Sequence, residues 1–539
     1  MTFLLLICAV VLLLCVLLSR VSARFGVPSL LLFMVLGMLF GSDGILKIPF
    51  DDYGFAESVC SGALIFIMYS GGFGTNWKAA RPVVRQGALL SVGGVIITGA
   101  LTGLFCHFVL NFSLLEGLLV GAVIGSTDAA SVFSILRSKK LNLPNGLAPM
   151  LELESGSNDP TAYTLTVILL SLMADPSAGS AVWLFIKQLA FGAAFGLLFG
   201  WVSAFILRRV RFDSDGIRTI FVVAAVLAAY ALPTLVSGNG YLSVYISGIV
   251  FGNTRILGKA ELVHFFDSIS GLMQILLFFL LGLLAFPMQI PDVLLPALAI
   301  AAFLTFAARP AAVFAILTPF RHPVKEQLLV SWAGLRGAAS IVFAIFTITS
   351  SAYTKSDIFH IVFCIALLSV AFQGTLLPYF AKKLGLVDDS SDVMKTFNDY
   401  QDDSEMSLMG FTMEAGHPWC GQTLSEICLP PNSLVVMIKR DGNTIIPNGA
   451  AHLCAGDRII LSCPFYRDGG DVPLREVEVT RGSGWEGRTL GEIDLPENTL
   501  VMLIRREGGT LIPRGETLVR RGDVLVLGGA VPIGKQVGV

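Results

Sequence analysis

Long apolar runs, each ended by a few polar or charged residues, fill the chain from its start to about residue 383. Thirteen can be drawn, at about 2–19, 28–41, 56–72, 86–110, 116–136, 149–174, 181–207, 217–236, 241–252, 265–286, 292–318, 327–350 and 357–381. An apolar run of about 20 residues is long enough for a helix to cross a bilayer. The pattern therefore predicts a polytopic α-helical membrane protein with about thirteen transmembrane helices. Segments two and nine are short for a span and contain glycine. After Lys383 the pattern changes. Asp388–Glu405 is acidic and has no hydrophobic period, as in a linker. Beyond it, short stretches such as Ser433–Arg440 read as strands, so the tail is a separate α+β region.

Loop charge orients the spans. Arg20 and Arg24 follow segment one, Lys78, Arg81 and Arg85 follow three, and Arg137, Lys139 and Lys140 follow five. Arg208, Arg209 and Arg211 follow seven, Arg255 and Lys259 nine, Arg321 and Lys325 eleven, Lys382 and Lys383 thirteen. The alternate loops carry acids or nothing, with at most one cation each (Lys47 and Lys355), so the amino terminus is expected to face out and the tail to be cytoplasmic, with the cell membrane as its place. Of 539 residues 54% are hydrophobic and only 14% charged, where a soluble chain carries about a quarter charged residues. Basic residues scattered singly in loops give no support to nucleic-acid binding. The first segment, Phe3 to Leu18, lacks a basic start and a small-residue cleavage site, and reads as a retained span. The nine cysteines include no CxxC pair, and neither a metal site nor a cofactor is called for.

Three segments carry polar groups at membrane depth. Segment six begins Leu151-Glu152-Leu153-Glu154-Ser155-Gly156-Ser157-Asn158-Asp159-Pro160. On a helix Glu154 and Asn158 share one face and Ser155 and Asp159 the next. A carboxylate near the bilayer midplane costs roughly 2.5–3.5 kcal/mol on insertion scales, and such residues mark ion pathways. Segment five contains Gly125-Ser126-Thr127-Asp128-Ala129, and segment twelve Gly334-Leu335-Arg336-Gly337. Both read as locally unwound helices whose freed carbonyls and half-helix ends can bind ions. They lie seven segments apart; with segment one counted as an extra element, they occupy matching places in two six-segment halves. Interrupted helices at matching places point to a transporter site. Close packing alone would explain the glycines but not Asp128 or Arg336. Arg336 needs an acid partner, with Glu154, Asp128 and Asp159 as candidates. If Glu154 takes it, Asp159, with Asp128, Thr127 and Ser155 nearby, is left for the transported ion. Segment ten, Phe265 to Phe286, holds no Lys or Arg that could carry a second proton.

The Ser-Asn-Asp-Pro, Ser-Thr-Asp-Ala and Gly-Leu-Arg-Gly stretches, with Gly238-Asn239-Gly240-Tyr241-Leu242 and Ser247-Gly248, resemble the monovalent cation:proton antiporters of the NhaP and sodium/proton exchanger group. The resemblance covers the whole membrane part. It implies a thirteen-span inverted-repeat fold with crossed broken helices, dimeric, in which a core domain moves against a dimerisation domain. It also implies roles: Asp159 as the ion-binding carboxylate, Asn158 as the mark of this group, Thr127 and Asp128 lining the crossing, Ser155 as a ligand, and Glu154 with Arg336 as a supporting ion pair. Ala129 departs from the group, where many relatives have proline.

The tail contains an internal repeat. Trp419-Cys420-Gly421-Gln422-Thr423-Leu424-Ser425-Glu426-Ile427 recurs as Trp485-Glu486-Gly487-Arg488-Thr489-Leu490-Gly491-Glu492-Ile493, and Gly456-Asp457 as Gly522-Asp523, an offset of 66 residues throughout. Each copy reads as a short helix, a strand, a turn at Asp441–Asn443 in the first copy, and further short strands. The copies resemble the TrkA-C (RCK-C) ligand-binding subdomain of potassium-conductance regulators. That resemblance implies an intramolecular pair and an unidentified small regulatory ligand of nucleotide type. Gly482-Ser483-Gly484-Trp485-Glu486-Gly487 matches GxGxxG, but no βαβ unit with a long helix surrounds it.

The expected organisation is a transmembrane antiporter domain over 1–385, an acidic linker over 386–408, and TrkA-C-like domains over 409–470 and 471–539. The expected activity is exchange of cytoplasmic K⁺ (or Na⁺) for external H⁺, electroneutral, with both competing at Asp159, in a homodimer regulated by its tail. A cation channel would need a carbonyl-lined filter run, and none occurs. An anion symporter would want a positive midplane, whereas this one is acidic. No nucleophile–base set suggests an enzyme.

Overall fold

The computed structural model describes residues 2–386 and 406–529, apart from 26–27, 139–140, 142, 144–145, 176–179, 211, 213, 255, 257–258, 351–353, 431–432, 441–442, 465–473, 481–482, 496–498, 507–508 and 512. The expected linker and the turn at 441–442 lie largely outside these. The chain forms two compact units, Met1–Asn398 and Asp399–Val539.

The first unit is helical. Its helices are α1 Thr2–Phe25, α2 Ser29–Phe40, α3 Tyr53–Gly74, α4 Trp77–Ala80, α5 Val84–Leu89, α6 Val95–Leu110, α7 Leu114–Val123, α8 Ala129–Ser138, α9 Leu147–Ala174 and α10 Ala181–Arg209. There follow α11 Asp215–Leu235, α12 Gly240–Gly252, α13 Lys259–Leu284, α14 Ile290–Phe303, α15 Arg309–Leu317, α16 Val324–Trp332, α17 Ala338–Thr349, α18 Ile358–Leu368 and α19 Thr375–Lys383. Helix occurs within each apolar segment drawn from the sequence. Among the described residues, seven helices are long and apolar enough to cross a membrane, and shorter apolar helices include α2, α7, α12 and α17. Short π-helical turns at Leu90–Gly94, Leu304–Ala308 and Ser369–Gly374 join pieces into continuous helices such as Trp77–Leu110 and Pro287–Phe320. Starts are set by local chemistry: Asp52 caps α3, Asn239 caps α12, and Ser113 with Glu116 forms a capping box on α7.

The two halves are drawn differently from the expectation. Trp77 and Pro287 start matching 34-residue helices. The breaks after α7 and α16 match in turn, and so do α9 and the α18–α19 helix. Segments one to six thus correspond to eight to thirteen, and α10 is the connector rather than α1 the extra element. The reason is simple counting: two breaks seven segments apart need equal numbers of helices ahead of each. Packing repeats the relation. Helix α2 lies on α13, and α12 lies on α3. Both contacts run backbone to backbone. A Cβ at Gly282 would sit 2.1 Å from the Met34 carbonyl oxygen, and one at Gly252 2.2 Å from that of Phe73.

The second unit contains two four-stranded antiparallel sheets. One has the order β1-β4-β2-β3, from β1 Met406–Thr412, β2 Leu434–Arg440, β3 Asn443–Ile445 and β4 Arg458–Pro464. The other has the order β5-β8-β6-β7, from β5 Leu474–Glu478, β6 Thr499–Arg506, β7 Gly509–Leu511 and β8 Val524–Gly529. Each carries a bulge at the same place, Val435/Met437 and Val501/Leu503. The repeat glycines Gly421 and Gly487 have φ of 85° and 79°, Gly456 and Gly522 89° and 83°, so a side chain there would be strained. The expected short helix is a 3₁₀ turn, Leu490–Glu492, in the second copy and only turns in the first. The leading strands β1 and β5 were not expected from the sequence.

Candidate ion-binding site

Two broken helices meet at the centre of the first unit. Helix α7 ends at Val123 and α8 begins at Ala129, while α16 ends at Trp332 and α17 begins at Ala338. The breaks touch: the Asp128 N–H donates to the Leu335 carbonyl at 2.8 Å. A Cβ on Gly337 would lie 2.5 Å from the Asp128 Cβ, so only glycine lets the two strands of backbone approach. Asp128 itself caps α8. One carboxylate oxygen accepts from the Ser131 N–H at 3.1 Å and the other from its hydroxyl at 2.5 Å.

Arg336 serves the opposite half-helix end. One of its guanidinium nitrogens donates to the carbonyls of Ile124, Gly125 and Ser126 at 2.6, 3.0 and 2.9 Å. These lie at the carboxyl end of α7, where free carbonyls and the helix dipole concentrate negative charge. Its own N–H is held by the Ser369 hydroxyl at 2.9 Å. An acid at one half-helix start and a base at one half-helix end thus neutralise the broken ends.

The sequence-based pairing of Glu154 with Arg336 is corrected by this geometry. Glu154 meets Arg309 at 2.5 Å, with both side chains buried. Arg336 turns one guanidinium nitrogen to carbonyls, while Glu154 and Arg309 both lie within its electrostatic range. Arg309 went unremarked in the sequence reading. Its signal was present, a lone cation deep in the apolar run 292–318 followed by proline. It packs tightly on the second break, because a Cβ at Gly334 would lie 2.7 Å from its Nε.

Helix α9 lines the first break. The Asn158 amide donates to the Thr127 hydroxyl at 2.5 Å and its carbonyl accepts the Thr127 N–H at 3.3 Å. The Ser155 hydroxyl donates to the Thr127 carbonyl at 2.7 Å. The Ser126 hydroxyl donates to the Asp159 carboxylate, which is partly exposed. A small recess of about 10 Å³ beside these groups is lined by Thr127, Glu154, Ser155 and Arg309, with Val132, Leu151 and Ala333. Asp159, Ser126, Thr127, Ser155, Asn158 and Asp128 therefore form one cluster, with the Glu154–Arg309 pair behind it. Asn239 braces α9 just after its proline: its amide donates to the Pro160 carbonyl at 2.7 Å and to the Thr164 hydroxyl at 2.9 Å. This bond joins α9 to the start of α12. Such an arrangement can hold a dehydrated monovalent cation among oxygens, or a proton on the carboxylate in its place.

The description "Sodium/hydrogen exchanger, transmembrane" matches residues 9–383 of the chain. The chain belongs to the sodium/hydrogen exchanger family. The TrkA-C domain matches residues 408–465 and 474–530, so this exchanger carries two such domains in its tail. It is 33% identical over 481 residues to "K(+)/H(+) antiporter NhaP" of Alkalimonas amylolytica, spanning 88% of this chain and 83% of that one. It is 34% identical over 450 residues to "K(+)/H(+) antiporter NhaP2" of Shewanella baltica, with 82% and 77% covered. Among solved structures it is similar to the sodium proton antiporter MjNhaP1 from Methanocaldococcus jannaschii at pH 8, with TM-score 0.63 and 25% identity. That match covers 70% of this exchanger and 97% of MjNhaP1.

In the exchanger's tail each copy is clasped by one buried carboxylate. Arg440 Nε and Nη2 donate to the two oxygens of Asp457 at 2.7 and 2.8 Å, and Arg506 repeats this on Asp523 at 2.8 and 2.7 Å. These hydrogen bonds hold both carboxyls below the usual carboxylate range.

Proposed function

We propose that the chain is a secondary antiporter of the cell membrane that exchanges cytoplasmic K⁺ for external H⁺. Cation and proton compete for the Asp159 carboxylate, and only a loaded site crosses. The observation that carries this is the convergence of Asp159 with Ser126, Thr127, Ser155 and Asn158 on an unwound crossing whose half-helix ends are already neutralised by Asp128 and Arg336. One exchanging carboxylate gives electroneutral, one-for-one exchange. The amino terminus faces out, the tail is cytoplasmic, the protein is a homodimer, and the two tail domains regulate it through a small ligand. K⁺ is preferred because the relatives matched over most of both chains bear that cation in their names. A second reading, Na⁺/H⁺ exchange at the same site, is favoured by the solved structure, a sodium proton antiporter.

The test is proton flux in proteoliposomes holding an imposed pH gradient, on addition of K⁺, Na⁺ or Li⁺, with Asp159→Asn alongside. Dissipation by K⁺, insensitive to membrane potential and absent in the variant, supports the reading. A response to Na⁺ alone transfers it to sodium. Flux unaffected by the substitution overturns the site, and no response to any cation overturns the function.

A further inference from the structure

The last span, Ile358–Lys383, carries Ser369 and Gln373 in its apolar middle. Both are buried, and a polar group at that depth is costly unless it is hydrogen-bonded. They sit in the π-turn Ser369–Gly374, a local widening of a kind that recurs at functional sites. The Ser369 hydroxyl donates to the Gln373 side-chain oxygen at 2.5 Å, which leaves its lone pairs to accept the Arg336 N–H at 2.9 Å. The Gln373 backbone carbonyl accepts from the Trp332 indole N–H at 3.1 Å, and the Trp332 ring stacks on Phe380 with centroids 4.0 Å apart. The last span thus grips the second break at two points, Trp332 and Arg336.

The matching halves account for this placement. Thr127 is the fourth residue beyond the end of α7 at Val123, and Arg336 is the fourth beyond the end of α16 at Trp332. Asn158 is the twelfth residue of α9, which starts at Leu147, and Ser369 is the twelfth of the last span, which starts at Ile358. Each twelfth residue takes the N–H of the corresponding fourth: Asn158 Oδ1 accepts from Thr127 at 3.3 Å, and Ser369 Oγ from Arg336 at 2.9 Å. Ser369 is therefore the counterpart of Asn158 in the other half. The residues that follow them differ, Asp159 after Asn158 but Val370 after Ser369. The second half keeps the brace and has no carboxylate at the matching place.

We propose that Ser369, backed by Gln373, is a positioning residue for ion exchange. It acts through Arg336, whose guanidinium holds the carbonyls of Ile124, Gly125 and Ser126, and the Ser126 hydroxyl in turn donates to Asp159. Fixing the Arg336 backbone sets where the first break presents Ser126 and Thr127 to the cation. Gln373 orients the brace, because a Ser369 proton engaged by its Oε1 points away from Arg336. The inference rests on the antiport reading. It adds how the second half, without a carboxylate of its own at the matching place, sets the cation affinity of the first.

The experiment uses the full chain in proteoliposomes, measuring initial antiport rates per folded molecule against K⁺ or Na⁺ concentration. Wild type, Ser369→Ala, Ser369→Thr, Gln373→Met, the double variant Ser369→Ala with Gln373→Met, and Asp159→Asn are compared. Ser369→Ala should raise the apparent KM for cation roughly three- to tenfold, the range for one lost hydrogen bond, with maximal rate kept within about twofold. Ser369→Thr keeps the hydroxyl and should bring KM back to within about twofold of wild type. Gln373→Met should raise KM by less, and the double variant should match Ser369→Ala alone, because Gln373 acts through Ser369. A wild-type KM in Ser369→Ala, a lower maximal rate without a KM change, or additive KM changes in the double variant overturn the positioning role. Should Ser369→Ala fail to fold, Gln373→Met decides, and a wild-type KM there overturns it. If Asp159→Asn is silent while the Ser369 and Gln373 variants match wild type, the positioning role fails and the antiport reading stands. An inert wild type overturns both.

Discussion

Replacing Arg309 by methionine isolates the ion pair that lies behind the binding cluster. The side chains of Arg309 and Glu154 are 4% and 2% exposed, so neither charge can turn to water. Removing one partner leaves an uncompensated buried charge, a loss of about 3–5 kcal/mol. Removing both, as Arg309→Met with Glu154→Gln, takes away the desolvation penalty together with the attraction, and should return most of that loss. A coupling of about 3 kcal/mol between positions 309 and 154 follows. Arg336→Met should behave otherwise. It strips three carbonyls at the end of α7 of a charged donor, each such bond being worth about 1.5–3 kcal/mol. Glu154→Gln should not rescue that loss. Thermal unfolding of the purified protein in detergent, followed by size-exclusion chromatography, ranks the variants. The reasoning is refuted if Arg309→Met melts with wild type, if the double variant melts no higher than the weaker single one, or if Glu154→Gln rescues Arg336→Met.

Gly121→Ala should disrupt the contact between α6 and α7, since its Cβ would sit 2.1 Å from the Gly99 carbonyl oxygen, and yield of folded protein reports the loss. Gly337→Ala should force the two breaks apart at Asp128 and reduce exchange rate more than it reduces expression, as transport per folded molecule will show. Asn158→Ala removes both bonds to Thr127 and should lower stability by about 1–3 kcal/mol with a fall in cation affinity, checked by melting and by KM. In the tail, Asp457 and Asp523 titrate lower folded than unfolded. Their stabilisation is therefore complete above the unfolded value of about 3.9 and lost as pH falls through the lower folded one. Limited proteolysis of the full chain should show a tail equally resistant from pH 8 to about 5 and weaker in stronger acid, whereas Asp523→Asn is cut in the second copy at neutral pH.

The breaks were legible because they interrupt an apolar run with glycines, hydroxyls and a charge that lipid cannot solvate, as at Gly125–Asp128 and Gly334–Gly337. Helix α9 was legible for the same reason: Glu154, Asn158 and Asp159 have no cheap place at that depth. What was not legible was the partner of each charge. Two buried arginines and several acids allow several pairings, and choosing among them needs the tertiary placement that brings Arg309 beside Glu154, for which the local sequence carries no signal. The halves were misdrawn in the counting: breaks in segments five and twelve hold the same place only when segment seven is the connector. In the tail the 66-residue offset exposed the repeat, but β1 and β5 share only Leu408 and Leu474 at that offset, so the strand that opens each sheet was passed over.

The duplicated clasp in the tail, Arg440 on Asp457 and Arg506 on Asp523, makes every molecule its own control. The two copies share temperature and buffer, and they occur in identical stoichiometry. A probe beside one clasp can be read against a probe beside the other, so a difference between them belongs to the copy and not to the preparation. If a bound regulator disturbs one probe and spares its twin, the two halves of the tail have been given separate tasks.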